Sequence, residues 1–352
     1  MNVLILDAYG QRTYASWSKG EFNGLTYLLQ RIGGMISASF NVPIEYAEPY
    51  KWARFYNQVE LYHESVPVFS GYIHDLSRYW SESESGIKVD LAGWVAKLAK
   101  DYVTTDLSNE KASTYITDHI LVGELANWVG AGEIDTGDYT IPDIRDYIPQ
   151  KTKRQVMDDL ISFNLDTHDW GVWGKELYWK RRETQVAYRT NTANSVGSLR
   201  QGIGESGSVV KGAYRDLLGV WTIVTATDAT SEDPTEYILE TYSDNMTAAQ
   251  ATQLAEQSLE RVKLKGANAD ITVQKIWTKE HTPLDPREIR PGMVIEIGSM
   301  VPGQASIAEA DVDNDMDTFA IESVKVNDET GFAQVSPGKL PYDLQVMLAG
   351  GN

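Results

Sequence analysis

Short apolar segments bounded by glycine, proline, asparagine or serine recur along most of the chain, and this pattern constrains its fold most strongly. Val3 to Leu6, Met35 to Val42 and Trp52 to His63 are predicted strands of this kind. In the third segment alternate residues are largely apolar, as a strand with one buried face requires. We therefore predict an antiparallel sheet in residues 1–105, followed by a helical segment from Trp94 to Tyr102.

The period of the apolar residues becomes helical after residue 106. Thr152 and Gln155 have the spacing of a capping box, which predicts the start of a helix. Farther on, a tryptophan-rich stretch from Trp170 to Trp179 surrounds two glycines, which indicates a tight hairpin whose rings mostly enter the core. Residues 106–190 are thus predicted to be a small mixed α/β domain. Its first helix has an apolar stripe of Tyr115, Ile116, Ile120, Leu125 and Trp128.

Strand patterns return after residue 191, beginning with Val209 to Thr225 and continuing in short segments up to Leu348. They are interrupted by an amphipathic helix predicted over residues 247–265. A chain of 352 residues is long enough for two or three compact units. We expect an α+β, mainly β fold with two related antiparallel β-barrel domains, 1–105 and 191–352, flanking the inserted domain 106–190.

Composition argues against several classes of function. Fifty acidic and 31 basic residues give a net charge of −19, so a nucleic-acid-binding surface is not expected. The absence of cysteine excludes disulfides and thiolate sites and leaves the redox compartment open. No apolar run approaches the ~20 residues of a membrane span, so no stable membrane insertion is expected. The N-terminal residues lack the pattern of a signal peptide, so secretion by that route is not expected.

Two motifs have the spacing of ligand sites. Gly202, Gly204 and Gly207 match a dinucleotide fingerprint, but a β-like stretch follows where a helix is needed, which favours a glycine turn. Five acidic residues reproduce the spacing of a calcium loop, but Met316 replaces the glycine of that motif and helical flanks are missing. An acidic hairpin tip is favoured, with calcium as the alternative. The weak calcium candidates are Asp311, Asp313, Asp315, Asp317 and Glu322.

The sequence contains no nucleophile elbow, phosphate loop, kinase signature or zinc-protease helix, so we predict no enzyme and no cofactor. His168 lies between Asp166 and Asp169, and three residues in one loop rarely make a metal site alone. A two-carboxylate glycosidase stays open, because its acids need not be close in sequence. Carbohydrate binding by Trp170 or Trp173 is another alternative, although aromatic rings more often serve the core.

Three stretches of the chain resemble parts of a single protein family. VELYHESVPVFSGYIHDLSRYWSESESGIKVDLAGWVAKLAKDYV is similar to the family's first barrel, with Phe69, Gly71 and Ile73 in its turn and strand. TKRQVMDDLISFNLDTHDWGVWGKELYWKRR is similar to its small inserted domain. The helix over 247–265, the turn at Pro291 and Gly292, and FAIESVKVNDETGFAQVSPG resemble its second barrel.

The family is that of phage tail hub proteins, and the resemblance implies a baseplate or tail-tip hub in the virion, assembled in the host cytoplasm. Three copies with paired tail-tube-like barrels would form a pseudo-sixfold ring that joins the hexameric tail tube to a threefold tip. The implied partners are a tail-tube or distal tail protein, a tip, fibre or spike protein, and the tape measure protein. DNA would pass through the ring without specific binding. A carbohydrate-binding tail protein, a tail-associated glycosidase, and a hub of another injection machine are the alternatives.

Overall fold

The computed structural model describes residues 1–47, 52–80, 84–137, 139–141, 151–163, 167–197, 200–201, 209–216, 218–227, 237–241, 247–263, 267–268, 271–298 and 317–338. The calcium candidates Asp311, Asp313 and Asp315 and the motif glycines Gly202, Gly204 and Gly207 lie outside these residues. The strand predicted from Leu344 to Leu348 also lies outside them.

The first segment of the chain is an antiparallel sheet with the order β2, β1, β5, β6, β7, β4, β3. Strand periodicity drives it, since alternate side chains enter the core throughout β3. Its elements are β1 Asn2–Leu6, β2 Thr13–Ser18, β3 Asn23–Gln30, β4 Gly33–Pro43, the short helix α1 Ile44–Ala47, β5 Gln58–His63, β6 Val66–Trp80, β7 Ser85–Gly93 and a 3-10 helix Trp94–Lys100.

The strand predicted from Trp52 to His63 begins later than expected, at Gln58. Phe55 is 58% exposed, and Tyr56 has a φ of 68°, which places it in the left-handed region rather than in a strand. The alternating pattern of residues 55 to 61 therefore corresponds to a strand only from residue 58 onward. A turn occupies the rest, and it presents Phe55 and Tyr56 at the surface.

The middle segment packs short helices against a hairpin. The capping box is confirmed, because Thr152 N donates to Gln155 Oε1 at 2.8 Å and Gln155 N donates to Thr152 Oγ1 at 3.3 Å. The first predicted helix is broken into short turns, although most of its stripe is buried. The elements are α2 Ala112–Tyr115, a π-helical turn Ile116–Ile120, a 3-10 helix Gly123–Asn127, β8 Gly130–Ile134, α3 Lys153–Phe163, β9 His168–Trp173 and β10 Glu176–Arg181.

The last segment contributes strands to three sheets. One group forms a three-stranded sheet, β15–β14–β16, which is covered on one face by α4. β13 and β17 form a separate antiparallel pair, and the other strands continue the large sheet. The elements are β11 Val186–Asn191, β12 Ser195–Gly197, β13 Arg200–Gln201, β14 Val209–Arg215, β15 Trp221–Thr227, β16 Tyr237–Thr241, α4 Ala248–Lys263, β17 Ala267–Asn268, β18 Ile271–Val273, β19 Ile276–Thr278, β20 Pro283–Leu284, a 3-10 helix Pro286–Glu288, β21 Val294–Gly298, β22 Asp317–Asn327 and β23 Phe332–Gly338.

One long strand joins the two ends of the chain. Along its length, β22 pairs with β21 and β23 of the last segment and, through Ser323 to Asn327, with β3 of the first. From β21 the sheet continues through β11 and β19 to β20, and from β23 through β18 to β12. The pairings connect eighteen strands in all. A single buried apolar cluster accordingly contains residues of both the first and the last segment.

The inserted hairpin joins this sheet where two glycines meet. Gly33 and Gly34 of β4 pair in parallel with Gly171 and Val172 of β9. A Cβ on Gly34 would lie 2.5 Å from the Val172 carbonyl oxygen, and one on Gly171 would lie 2.5 Å from the Gly34 nitrogen. Glycine is needed at both positions because the two backbones approach this closely.

The α+β, mainly β class predicted from the sequence is confirmed. The expectation of closed barrels is not, because the described strands form open sheets. At the ends of the large sheet, β2 pairs only with β1, β12 only with β18 and β20 only with β19 among the described strands. In addition, β22 pairs with strands of both the first and the last segment, so neither segment closes into a barrel by itself.

Candidate functional site: buried junctions and open strand edges

A buried charged junction ties the three segments of the chain together. Arg31, in the turn between β3 and β4, donates from Nη1 to Asp169 Oδ1 of β9 and from Nε to Glu322 Oε2 of β22, both at 2.7 Å. Arg182 Nε lies 3.6 Å from the same Asp169 oxygen. Arg31 and Asp169 are only 8% and 1% exposed. Since an ion pair removed from water is costly to break, this junction fixes how the segments meet.

Tyr178 belongs to the same junction. Its hydroxyl donates to the Arg31 carbonyl oxygen at 3.3 Å. Burial, and then the negative charge of Asp169, raise the pKa of this hydroxyl. The phenol therefore stays a neutral hydrogen-bond donor. The arrangement holds structure in place, and nothing in it resembles an acid and base converging on a substrate.

A second polar cluster connects the first segment to the 3-10 helix Pro286–Glu288. The Tyr27 hydroxyl donates to the Arg287 carbonyl oxygen at 2.8 Å, and Arg287 Nε donates to Asp328 Oδ1 at 2.8 Å. His63 lies beside two carboxylates, 3.6 Å from Asp285 and 3.3 Å from Glu288. Burial raises the pKa of the Tyr27 hydroxyl, so it remains protonated and able to donate.

The calcium candidates are only partly within the described residues. Asp317 starts β22, where it pairs with Ile297. Glu322 lies in the same strand, and its carboxylate binds Arg31. Within the described part of the chain, no group of three or more histidine or acidic residues is arranged to hold a metal ion. His168 is 3% exposed and lies 3.2 Å from Asp135, with its ring stacked on Trp179.

The tryptophans of the β9–β10 hairpin are mostly core residues, as predicted. Trp170 and Trp179 are completely buried. Trp173 is half-buried, and the Arg290 guanidinium lies 4.7 Å from its ring centre. Two clefts of about 200 and 220 Å³ adjoin Trp173 and Arg290. Trp170 is thus not available to stack on a sugar, and Arg290 covers the ring of Trp173.

Two lysines lie on a row of aromatic rings between the first segment and the inserted domain. Lys97 Nζ is 4.5 Å from the ring centre of Tyr56, 4.6 Å from that of Tyr72 and 4.4 Å from that of Trp128. Lys175 Nζ is 4.8 Å from the ring centre of Trp94. Desolvation lowers the pKa of both lysines. These cation–π contacts stabilise the boundary between the two segments.

The sheets also leave backbone edges open. β15 pairs with β14 on one side, and no described strand pairs with its other side. β6 pairs with β5 only as far as Tyr72, and from His74 to Trp80 its sole described partner is β7. Unpaired edges are templates for addition of another strand. None of the described helices is long and apolar enough to cross a bilayer.

The three-dimensional fold matches solved phage tail proteins along nearly the whole chain. The 43 kDa tail protein of prophage MuSo2 from Shewanella oneidensis aligns with a TM-score of 0.66 and 15% identity, covering 97% of this chain and 99% of its own. A tail protein from Neisseria meningitidis gives 0.64 and 12% over 96% of both chains. Prophage tail protein gp18 from Listeria monocytogenes gives 0.61 and 12% over 99% of both chains.

At these identities the likeness shows a shared fold. No family model matches the sequence, and no curated protein matches it. The three sequence stretches that resemble phage tail hub proteins thus lie in a fold that solved phage tail proteins share. The buried junctions explain how such a fold is held together, and among the described strands the open edges are where backbone groups are left without a strand partner.

Proposed function

We propose that the chain is a structural, non-catalytic subunit of a phage tail, located at the tail tip or baseplate of the virion. The observation that carries this proposal is the match to three phage tail proteins over at least 96% of both chains. The match extends over the first, inserted and last segments, so it supports a tail role for the chain as a whole. The buried polar clusters, which hold segments together, agree with a structural role.

Within the tail, the chain acts as a hub. Three copies form a ring in which the strands of the first and last segments, joined through β22 within each copy, alternate around the axis and face the hexameric tail tube. The threefold side faces the tip, fibre or spike protein, and the tape measure protein ends at the ring. The open sheets support this assembly, because neighbouring copies would pair with edges that the described strands of one chain leave unpaired.

The ring conducts DNA during ejection without binding it. Three copies carry 3 × (−19), or −57, charges. Any share of these charges that lines the bore repels phosphate and lets the duplex slide. A basic bore in the assembled ring would contradict this part of the proposal.

The test is the stoichiometry of the purified chain, measured by native mass spectrometry alone and together with its tail-tube neighbour. We expect a trimer, either free or on the tube, and a ring with a central channel in electron micrographs. Antibodies against the chain should label one end of the virion tail. A strictly monomeric component found outside the virion would overturn the proposal.

A further inference from the structure

One face of the sheet formed by β8, β10 and β9 lines an open cleft of about 220 Å³. Side chains alternate along a strand, so Glu176, Tyr178 and Lys180 of β10 share one face. Trp173 of β9 is the cross-strand partner of Glu176 and lies on that face too. The cleft therefore combines a flat aromatic side chain with polar groups, and Arg290 of the last segment also lines it.

The charged groups of this cleft are balanced. They are two acids and two bases, Glu133, Glu176, Lys180 and Arg290. None of the four forms an ion pair within the described part of the chain. Although the whole chain has a net charge of −19, the formal charges of the cleft cancel. Such a cleft favours neither anions nor cations. Hydroxyl groups suit it, because each one can donate to a carboxylate and accept from a lysine or an arginine.

Trp173 supplies the flat surface of the cleft. Of the two tryptophans considered for sugar binding, Trp170 is completely buried and Trp173 is half-buried. The Arg290 guanidinium lies 4.7 Å from the ring centre of Trp173. Arg290 is exposed and has no carboxylate partner among the described residues, so this cation–π contact holds it weakly. A group with a flat apolar face can displace it. The C–H groups on one face of a pyranose form such a surface, and a large aromatic side chain matches it.

Trp173 and Arg290 also line a neighbouring cleft of about 200 Å³. Its other walls are mainly apolar and include Val66, Val68 and Ile289. Either cleft alone is smaller than the roughly 300 Å³ at which small-molecule pockets begin, whereas the two together exceed it. Because the same two side chains border both clefts, movement of Arg290 would connect them. The space then suits an organic ligand larger than a single ion.

We propose that Trp173 is the platform of a binding site for a neutral oligosaccharide. Arg290 leaves the tryptophan ring when a sugar stacks on it, and Glu133, Glu176 and Lys180 bind hydroxyl groups of the sugar. Charge decides for this ligand class, because a polyanion would meet two carboxylates and a cation would meet two bases. Sugar binding is a second activity of the chain, and it does not depend on how many copies form the proposed ring.

Isothermal titration calorimetry with the full chain tests the site. The probes are maltotetraose and chitotetraose, which are neutral, and tetragalacturonate, which carries a carboxylate on every sugar unit. We expect saturable binding of at least one neutral probe. Its affinity should be the same at low and high salt, because a neutral ligand has no charge to screen. Tetragalacturonate should bind more weakly. Failure of both neutral probes, or tighter binding of the acidic one, would overturn the proposal.

Replacing the platform should remove the binding. Trp173→Ala should weaken it roughly tenfold or more, because the stacking surface is lost. Trp173→Phe keeps an aromatic ring and should retain most of the affinity, and circular dichroism checks that both variants are folded. The matched control is Trp221→Ala. Trp221 is 54% exposed, has the Arg215 guanidinium 5.1 Å from its ring centre and lines neither cleft. Equal losses at Trp173 and Trp221 would contradict the site.

Removing the guanidinium should have the opposite effect. Arg290→Ala uncovers the ring of Trp173, and the sugar no longer competes with an exposed cation–π contact. The affinity for the neutral probe should rise roughly two- to fivefold. Arg215→Ala, which uncovers Trp221 in the same way, should leave sugar binding unchanged. An unchanged or lower affinity in Arg290→Ala would overturn the displacement of Arg290, and with it the use of this ring face by the sugar.

The polar side of the cleft supplies the last arm of the test. Glu176→Ala removes an acceptor from an exposed position and should weaken binding several-fold. Glu124→Ala is the control, since Glu124 is also exposed in the inserted domain but lines neither cleft. Native mass spectrometry should give the same oligomeric state for Glu176→Ala, Trp173→Ala and the natural chain. A trimer that binds neither neutral probe would overturn this inference alone, and a monomer that binds one would contradict only the ring.

Discussion

The large sheet and the small sheet use their apolar residues differently. In the large sheet Phe40 and Phe69 are completely buried, and the same cluster spans both ends of the chain. The small sheet has two small clusters against α4, and its other face leaves Trp221 and Ile223 exposed. The large sheet is thus stabilised by its own chain. The small sheet leaves apolar side chains exposed on one face.

Replacing one tryptophan in each region gives the largest expected contrast. Trp170→Ala removes a completely buried ring and should lower the free energy of unfolding by about 3–5 kcal/mol. Trp221→Ala removes a ring that is 54% exposed and should change the free energy of unfolding of the monomer by less than about 0.5 kcal/mol. Urea unfolding followed by circular dichroism measures both values. Equal losses would show that the small sheet is as self-contained as the large one.

The buried junction should have the next largest effect. Asp169→Asn removes the buried carboxylate that Arg31 and Arg182 share, while Arg31 keeps its contact with Glu322, and we expect the free energy of unfolding to fall by about 3 kcal/mol. The control is Asp159→Asn, which breaks a partly exposed pair with Lys151 and should cost less than about 1 kcal/mol. If the two variants were equally stable, the junction would not hold the segments together.

Removing the helix cap at Thr152, in the inserted domain, should have a smaller effect on stability. Thr152→Ala removes the side chain that accepts from Gln155 N and should destabilise the protein by about 1 kcal/mol. Thr227→Ala, in an exposed position at the end of β15, has no cap to lose and should have almost no effect on the monomer. Thermal unfolding of the two variants makes the comparison. A larger effect at Thr227 would contradict the view that β15 is only half packed.

Local signals predicted the local parts of this structure. The capping box at Thr152 and Gln155 correctly gave the start of α3, since both partners lie within one helical turn. The apolar stripe around Ala251 and Leu259 correctly gave α4. β3 was missed, although its alternation of Leu25, Tyr27 and Leu29 is a regular strand pattern.

Long-range features could not be predicted in the same way. Arg31 meets partners 138 and 291 positions away, and no local pattern specifies such a pair. The open edges were missed for a related reason. A strand pattern shows that a segment has a buried face, but not which neighbours lie beside it, so closed barrels were expected where β22 instead joins the two ends.

The smallest expected effect is a pH dependence of stability that comes from Asp135, beside the large sheet. Gly137 N donates to Asp135 Oδ1 at 2.8 Å, and this bond, then His168 and Arg181, hold the pKa of Asp135 below its ordinary value of 3.8. The folded state therefore favours the ionised form, which contributes stability above about pH 4 that is lost as the pH falls through the lowered pKa.

Asp135→Asn should remove this contribution. We expect the contribution to be less than about 1 kcal/mol, because the carboxylate is partly exposed. Urea midpoints between pH 7 and pH 3 measure it: the variant should lose less stability on acidification than the natural chain. An equal or steeper loss would mean that the hydrogen bond to Gly137 does not favour the ionised carboxylate.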